Sequence, residues 1–156
     1  FIEAFLFLIY TIKQLEIIMD RILIIYPVFA MVLLTFFSYI IMFLIVKKYI
    51  TKKEIKYGQF KLYRGEFPDD YEQSRQHLKN QFELPIIFYL LVALLYSLND
   101  LQYIDIILAW LFVISRYIHS FIRFKNNYLP HRGSVFFLGL VILLAGWINF
   151  IISNSS

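Results

Sequence analysis

Apolar positions in this chain come in long unbroken blocks, without the period-two or three-and-four spacing of a half-buried surface element. Residues 22–46 contain no charged side chain. At ~1.5 Å per residue a helix of that length crosses a hydrocarbon core of about 30 Å with some tilt. Residues 84–98 and 134–152 are uncharged as well. The first of these is short for a span, and the polar turn Leu78, Lys79, Asn80, Gln81, Phe82, Glu83 extends it. A further block, 104–124, is apolar apart from Asp105, Arg116, His119 and Arg123. The pattern predicts an all-α integral membrane protein, a bundle of four transmembrane helices at about 22–46, 78–98, 104–124 and 134–152, within a membrane domain of residues 19–156.

The connections 99–103 and 125–133 are short, and the second carries Asn126, Asn127, Pro130 and Gly133, so consecutive helices are expected to pack antiparallel. Segment 47–77 is longer. With Gly58, Gly65, Pro68 and the acidic run Glu66, Asp69, Asp70, Glu72 it reads as an irregular cap. The apolar stretch 4–12 is too short to span and is broken by Lys13, Gln14 and Glu16; residues 1–18 read as an N-terminal extension ahead of Met19 or as an interfacial segment.

Composition agrees: 60% of residues are apolar, 17% charged, and the mean hydropathy is +0.67, outside the range of soluble globular domains. There is no cysteine, which excludes a disulfide, a thiolate metal site and a cysteine nucleophile. Any thiol chemistry needs the thiol to arrive with a substrate. The net charge of +4 and pI near 9.2 come from an uneven distribution. Eight of the fifteen Lys and Arg fall in 47–77, two in 125–133 and none in 99–103. The positive-inside rule therefore puts the loops 47–77 and 125–133 in the cytoplasm and both termini outside. No basic and aromatic platform for nucleic acid lies outside the apolar blocks.

Ionisable groups at membrane depth are costly and are functional candidates for that reason. Gln76, Asn80 and Glu83 recur at i, i+4, i+7, and Arg116, His119 and Arg123 at i, i+3, i+7, so each set occupies one helix face. Two such stripes can oppose each other. Glu83 facing Arg116 would neutralise both charges, either as a clamp between helices or as part of a ligand pocket that Asn80 completes. Pro85 frees the carbonyl of Gln81 within the helix, a kink. Arg132, just ahead of the last span, sets a guanidinium beside a helix amino end, where anions are favoured. His77, His119 and His131 lack metal-ligand spacing, no phosphate-binding glycine loop occurs, and no serine nucleophile elbow is present. No metal is assigned.

The segments NQFELPIIFYLLVALL from Asn80, LAWLFVISRYIHSFIRF from Leu108 and NNYLPHRGSVFFLGLVILLAGW from Asn126, with ILIIYPVFAMVLLTFF near the start, together resemble the MAPEG family, the membrane-associated proteins in eicosanoid and glutathione metabolism, in a bacterial branch. The resemblance covers roughly residues 21–150. It implies four-helix subunits assembled as homotrimers, with glutathione as cosubstrate between subunits near the cytoplasmic side. A lipophilic substrate would enter from the bilayer, and the location would be a bacterial inner membrane. Matched by motif, Asn80 and Glu83 correspond to glutathione-binding residues of the second helix. Arg116 corresponds to the third-helix arginine, and His119 to a position held by His or Tyr. Arg132 corresponds to the arginine that stabilises the thiolate. Arg116, Arg123 or Arg75 would take the glutathione carboxylates and Glu83 its ammonium. The chain departs from the family in having Gln76, flanked by Arg75, where glutathione-using members have arginine. It has Arg123 where many have tyrosine, and Gly133 where some have serine. The function so implied is a glutathione-dependent transferase or peroxidase for a hydrophobic electrophile; the alternative is a non-catalytic trimeric membrane protein with a structural Glu–Arg pair and an unknown ligand.

Overall fold

A computed structural model describes residues 21–62, 65–99, 101–125 and 127–155. The expectation for residues 1–18 lies outside the described residues. Among the described residues six helices follow in order: α1 Ile25–Thr51, α2 Tyr57–Leu62, α3 Asp69–Asn80, α4 Leu84–Leu98, α5 Tyr103–Lys125 and α6 Leu129–Asn154. Four stretches are long and apolar enough to cross a membrane: α1, α3 with α4 as Asp69–Leu98, α5 and α6.

Helix α1 ends in a reversal. Lys53 adopts a left-handed φ of 58°, and the N–H groups of Glu54 and Ile55 turn back to the Tyr49 carbonyl at 3.0 and 3.4 Å, satisfying an end that a helix otherwise leaves open. The cap is more ordered than its glycines and prolines lead one to expect, because α3 starts at Asp69. Pro68 precedes it, and Asp69, Asp70 and Glu72 occupy its first turn, where carboxylates are favoured by the helix dipole. The acidic run is therefore a helix start and not a loop.

The second span is broken. α3 stops at Asn80, and Gln81 and Phe82 close the turn with N–H bonds to Leu78 and Lys79 carbonyls at 3.0 and 2.9 Å. Glu83 has non-helical dihedrals, and Pro85 sits in the first turn of α4. A proline there tolerates the missing N–H but disfavours continuation of the preceding helix. Asn80 thus ends α3 while Glu83 stands in the turn before α4, and the i, i+7 relation of Gln76 to Glu83 does not hold across the break. α6 starts at Leu129, with Pro130 in its first turn, so Arg132 stands inside the first turn of the helix and not before it.

The core joins α1, α4, α5 and α6 through Met31, Leu34, Phe88, Leu91, Phe112, Val113 and Leu143. Phe88 and Phe112 stack with centroids 4.9 Å apart. Helix α6 approaches closely at Gly146, whose added Cβ would stand 3.0 Å from Leu91, and at Gly139, whose Cβ would meet Ser115 and Arg116 at 2.6 and 2.7 Å. At the opposite end from the cap, buried Asp105 accepts the Gln102 N–H and the Asn149 amide, each at 2.9 Å. The polarity is that of a membrane protein. Phe36, Phe43, Phe121 and Phe137 lie outside, while His77, Gln81, Asp105, Arg116, His119 and Arg123 are each 4% exposed or less.

Candidate functional site

Three helices converge on an open cavity of about 320 Å³. α3 contributes Gln76, Lys79 and Asn80, the inter-helix turn Glu83, α5 His119 and Arg123, and α6 Leu129, Arg132, Gly133 and Phe136. Six of the eight site residues expected from sequence, Gln76, Asn80, Glu83, His119, Arg123 and Arg132, share this space. The break before Pro85 leaves Glu83 at the cavity wall although it is off the α3 face.

Arg123 is fixed by α3. Its Nε and Nη2 donate to the Gln73 carbonyl at 3.3 and 3.1 Å, and Nη2 donates to Gln76 Oε1 at 2.9 Å; the Gln73 side-chain amide donates back to the Arg123 carbonyl. Gln76 therefore serves to hold Arg123 as well as to line the cavity. Behind His119 lies His77, fully buried, its ring stacked at 6.3 Å centroid separation. His77 Nε2 is 3.2 Å from Gln81 Nε2 and 3.3 Å from Ser120 Oγ. The Arg132 guanidinium donates to the Asn127 side-chain oxygen.

Arg116 and Arg75 stand elsewhere. Arg75 extends along the exposed side of α3, with Nη1 3.5 Å from Glu72. Arg116 is 2% exposed, wedged between the Phe112 and Phe136 rings at 5.5 and 5.0 Å, with Nη2 3.4 Å from the Phe136 carbonyl and its Nε without a partner. Phe136 separates it from the cavity it backs. The expected Glu83–Arg116 pair does not form within the chain: the Glu83 carboxylate lies 3.9 Å from Lys79 Nζ, one turn earlier. The helix break takes Glu83 off the α3 face, and its carboxylate meets Lys79 instead.

Sequence reasoning passed over Lys79, His77 and Phe136. The i, i+4 relation of Lys79 to Glu83 was the available signal for the first; the other two become visible only once α3, α5 and α6 are side by side. Among the described residues no group of three His, Asp or Glu is arranged to hold a metal.

The cavity is rich in cationic donors, with Lys79, Arg123 and Arg132 against the one carboxylate of Glu83. Such a surface is complementary in charge to a small anionic molecule that carries one positive group. Comparison with curated proteins and with solved structures gives no match. The family model of the MAPEG family matches residues 27–152, which include every residue of the cavity and all but the outermost two residues of the first and last apolar spans, and the chain thus belongs to the MAPEG family of multi-pass integral membrane proteins.

Proposed function

We propose that this chain is a glutathione-dependent transferase or peroxidase that acts on a lipophilic electrophile delivered through the bilayer. In this reading it works as a homotrimer in a bacterial inner membrane, with the cavity near the cytoplasmic face and both termini outside. The observation that carries the reading is the cavity itself, about 320 Å³ with Asn80, Glu83, His119, Arg123 and Arg132 on its walls, near the lower end of the ~300–1,000 Å³ found for ligand sites.

The donor set fits glutathione, which carries two carboxylates, an ammonium and a thiol. Lys79 and Arg123 suit the carboxylates, Glu83 the ammonium, and Asn80 supplies both amide donors and an acceptor. Bound here, the tripeptide supplies the nucleophilic sulfur that a chain without cysteine lacks. A free thiol with pKa near ~8.5 is only a few per cent ionised at neutral pH. The Arg132 guanidinium favours the anion until the sulfur attacks: either a carbon–sulfur bond forms as the electrophile's leaving group departs with its electron pair, or sulfur takes the terminal peroxide oxygen as the O–O bond breaks, giving a sulfenic acid and an alkoxide that takes a proton from water. Arg116 adds positive potential from behind Phe136.

The test is the ultraviolet absorbance of thiolate on adding glutathione to purified protein in detergent. Wild type is expected to develop the band at neutral pH, and Arg132→Ala to lack it while remaining folded. A band of equal size in Arg132→Ala removes Arg132 from the proposed role.

A further inference from the structure

The cap carries a second concentration of charge that the cavity does not use. Lys47 follows directly on the uncharged stretch 22–46, and Lys48, Lys52, Lys53, Lys56 and Lys61 follow within fifteen residues. All six are exposed. Two are answered by carboxylates, Lys48 by Asp70 at 3.3 Å and Lys52 by Glu54 at 4.0 Å. Lys47, Lys53, Lys56 and Lys61 make no ion pair among the described residues, nor do the nearby acids Glu66 and Asp69.

These lysines are held in place by the fold. The left-handed turn at Lys53 and the double bond of Glu54 and Ile55 N–H onto the Tyr49 carbonyl fold the chain back at the helix end. Ile55, 2% exposed, pins it there. Phe60, carried with Lys61 on α2, packs on Phe67 and on Tyr71 of α3, with ring centroids 5.8 and 5.9 Å apart. The charges therefore stay beside the point where α1 leaves the hydrocarbon. Tyr57, 76% exposed, adds an amphipathic ring of the kind that settles at headgroup level.

We propose that the lysines at the end of α1 and on its return turn bind the phosphate-bearing headgroups of anionic phospholipids. Basic residues fixed just outside a span lie in the surface potential of such a leaflet and attract its headgroups. The lysines without carboxylate partners are the free ligands; those paired with Asp70 and Glu54 hold the scaffold. A topology signal alone has no use for a folded scaffold around it. This surface is independent of the glutathione reading.

Native mass spectrometry of the full chain, released from detergent after equilibration with equimolar phosphatidylglycerol and phosphatidylcholine of identical acyl chains, tests the surface. Wild type is expected to retain phosphatidylglycerol over phosphatidylcholine by about fivefold, the equivalent of one lysine–headgroup contact. The preference should fall to near unity in Lys47→Gln/Lys53→Gln/Lys56→Gln/Lys61→Gln. It should persist when the same four are changed to arginine, and in Lys125→Gln. The paired variants Lys47→Gln/Lys53→Gln and Lys56→Gln/Lys61→Gln, each reducing the preference, carry the test if the fourfold glutamine variant does not assemble. Equal retention of both lipids by wild type, or undiminished preference in the glutamine variants, overturns the proposal. So does loss of preference in the arginine variant. Displacement of the lipid by an equal concentration of free glycerol phosphate overturns the assignment to a bilayer headgroup.

Discussion

Burying a guanidinium without a counter-charge costs several kcal/mol, and Arg116 is 2% exposed with its Nε unpartnered and only a carbonyl and two aromatic rings around it. A purely structural residue in that position gains from replacement by an apolar side chain of similar length. Arg116→Met is therefore expected to raise the stability of the ligand-free protein by about 1–4 kcal/mol, read from thermal melting in detergent, and to weaken glutathione binding at least tenfold. Unchanged binding would make Arg116 a packing residue only. Gly139 is the residue that lets the guanidinium lie there, since an added Cβ would stand 2.7 Å from Nη2 and 2.6 Å from Ser115 Oγ. The flexible end of the arginine gives way first. Gly139→Ala should destabilise by about 1–3 kcal/mol and lower glutathione affinity in the same direction as Arg116→Met, which calorimetry on the variant checks.

At the level of elements, the break between α3 and α4 turns a polar helix face into a cavity wall. Pro85→Ala restores the N–H that the preceding turn lacks and permits one continuous helix. That variant is expected to lose glutathione binding while helical circular dichroism holds or rises; retained binding would show that the break is incidental. At the far end Asp105 ties α5 to α6 and caps α5. Asp105→Ala leaves the Gln102 N–H and the Asn149 amide without their acceptor, an expected loss of about 1–3 kcal/mol in stability, read as a lowered unfolding midpoint.

Spans were legible in the sequence because length without charge is a strong signal: α1 covers Ile25–Thr51 where the pattern placed 22–46. Boundaries set by proline and acid were less legible, since Pro68 with Asp69 and Asp70 serves a loop and a helix start equally well. Five residues that line the cavity, Gln76, Asn80, Glu83, His119 and Arg123, stood in the sequence as two stripes. The stripes do face each other, with Arg123 bonded to Gln76 at 2.9 Å, but the Glu83–Arg116 pair was not legible, because the stripe through Glu83 was continued across a helix break. The partner that fixes Arg123 is also a backbone carbonyl, which has no letter in the sequence.

Across the whole molecule the arrangement is apolar outside and polar within, with Phe36, Phe43, Phe121 and Phe137 facing outward and the cationic cavity opening between α3, α5 and α6. An open cavity of this kind is completed by a neighbouring subunit in the proposed trimer, and native mass spectrometry in detergent should give three chains per particle. The central claim is that the cavity binds glutathione and that Arg132 ionises its thiol. Isothermal titration calorimetry of the detergent-solubilised protein with reduced glutathione tests it most directly, run in buffers of different ionisation enthalpy beside Asn80→Ala and Arg132→Ala. Saturable binding by wild type, weakened in Asn80→Ala, with a proton release that Arg132→Ala lacks, is the predicted result; no binding by wild type at millimolar glutathione would contradict it.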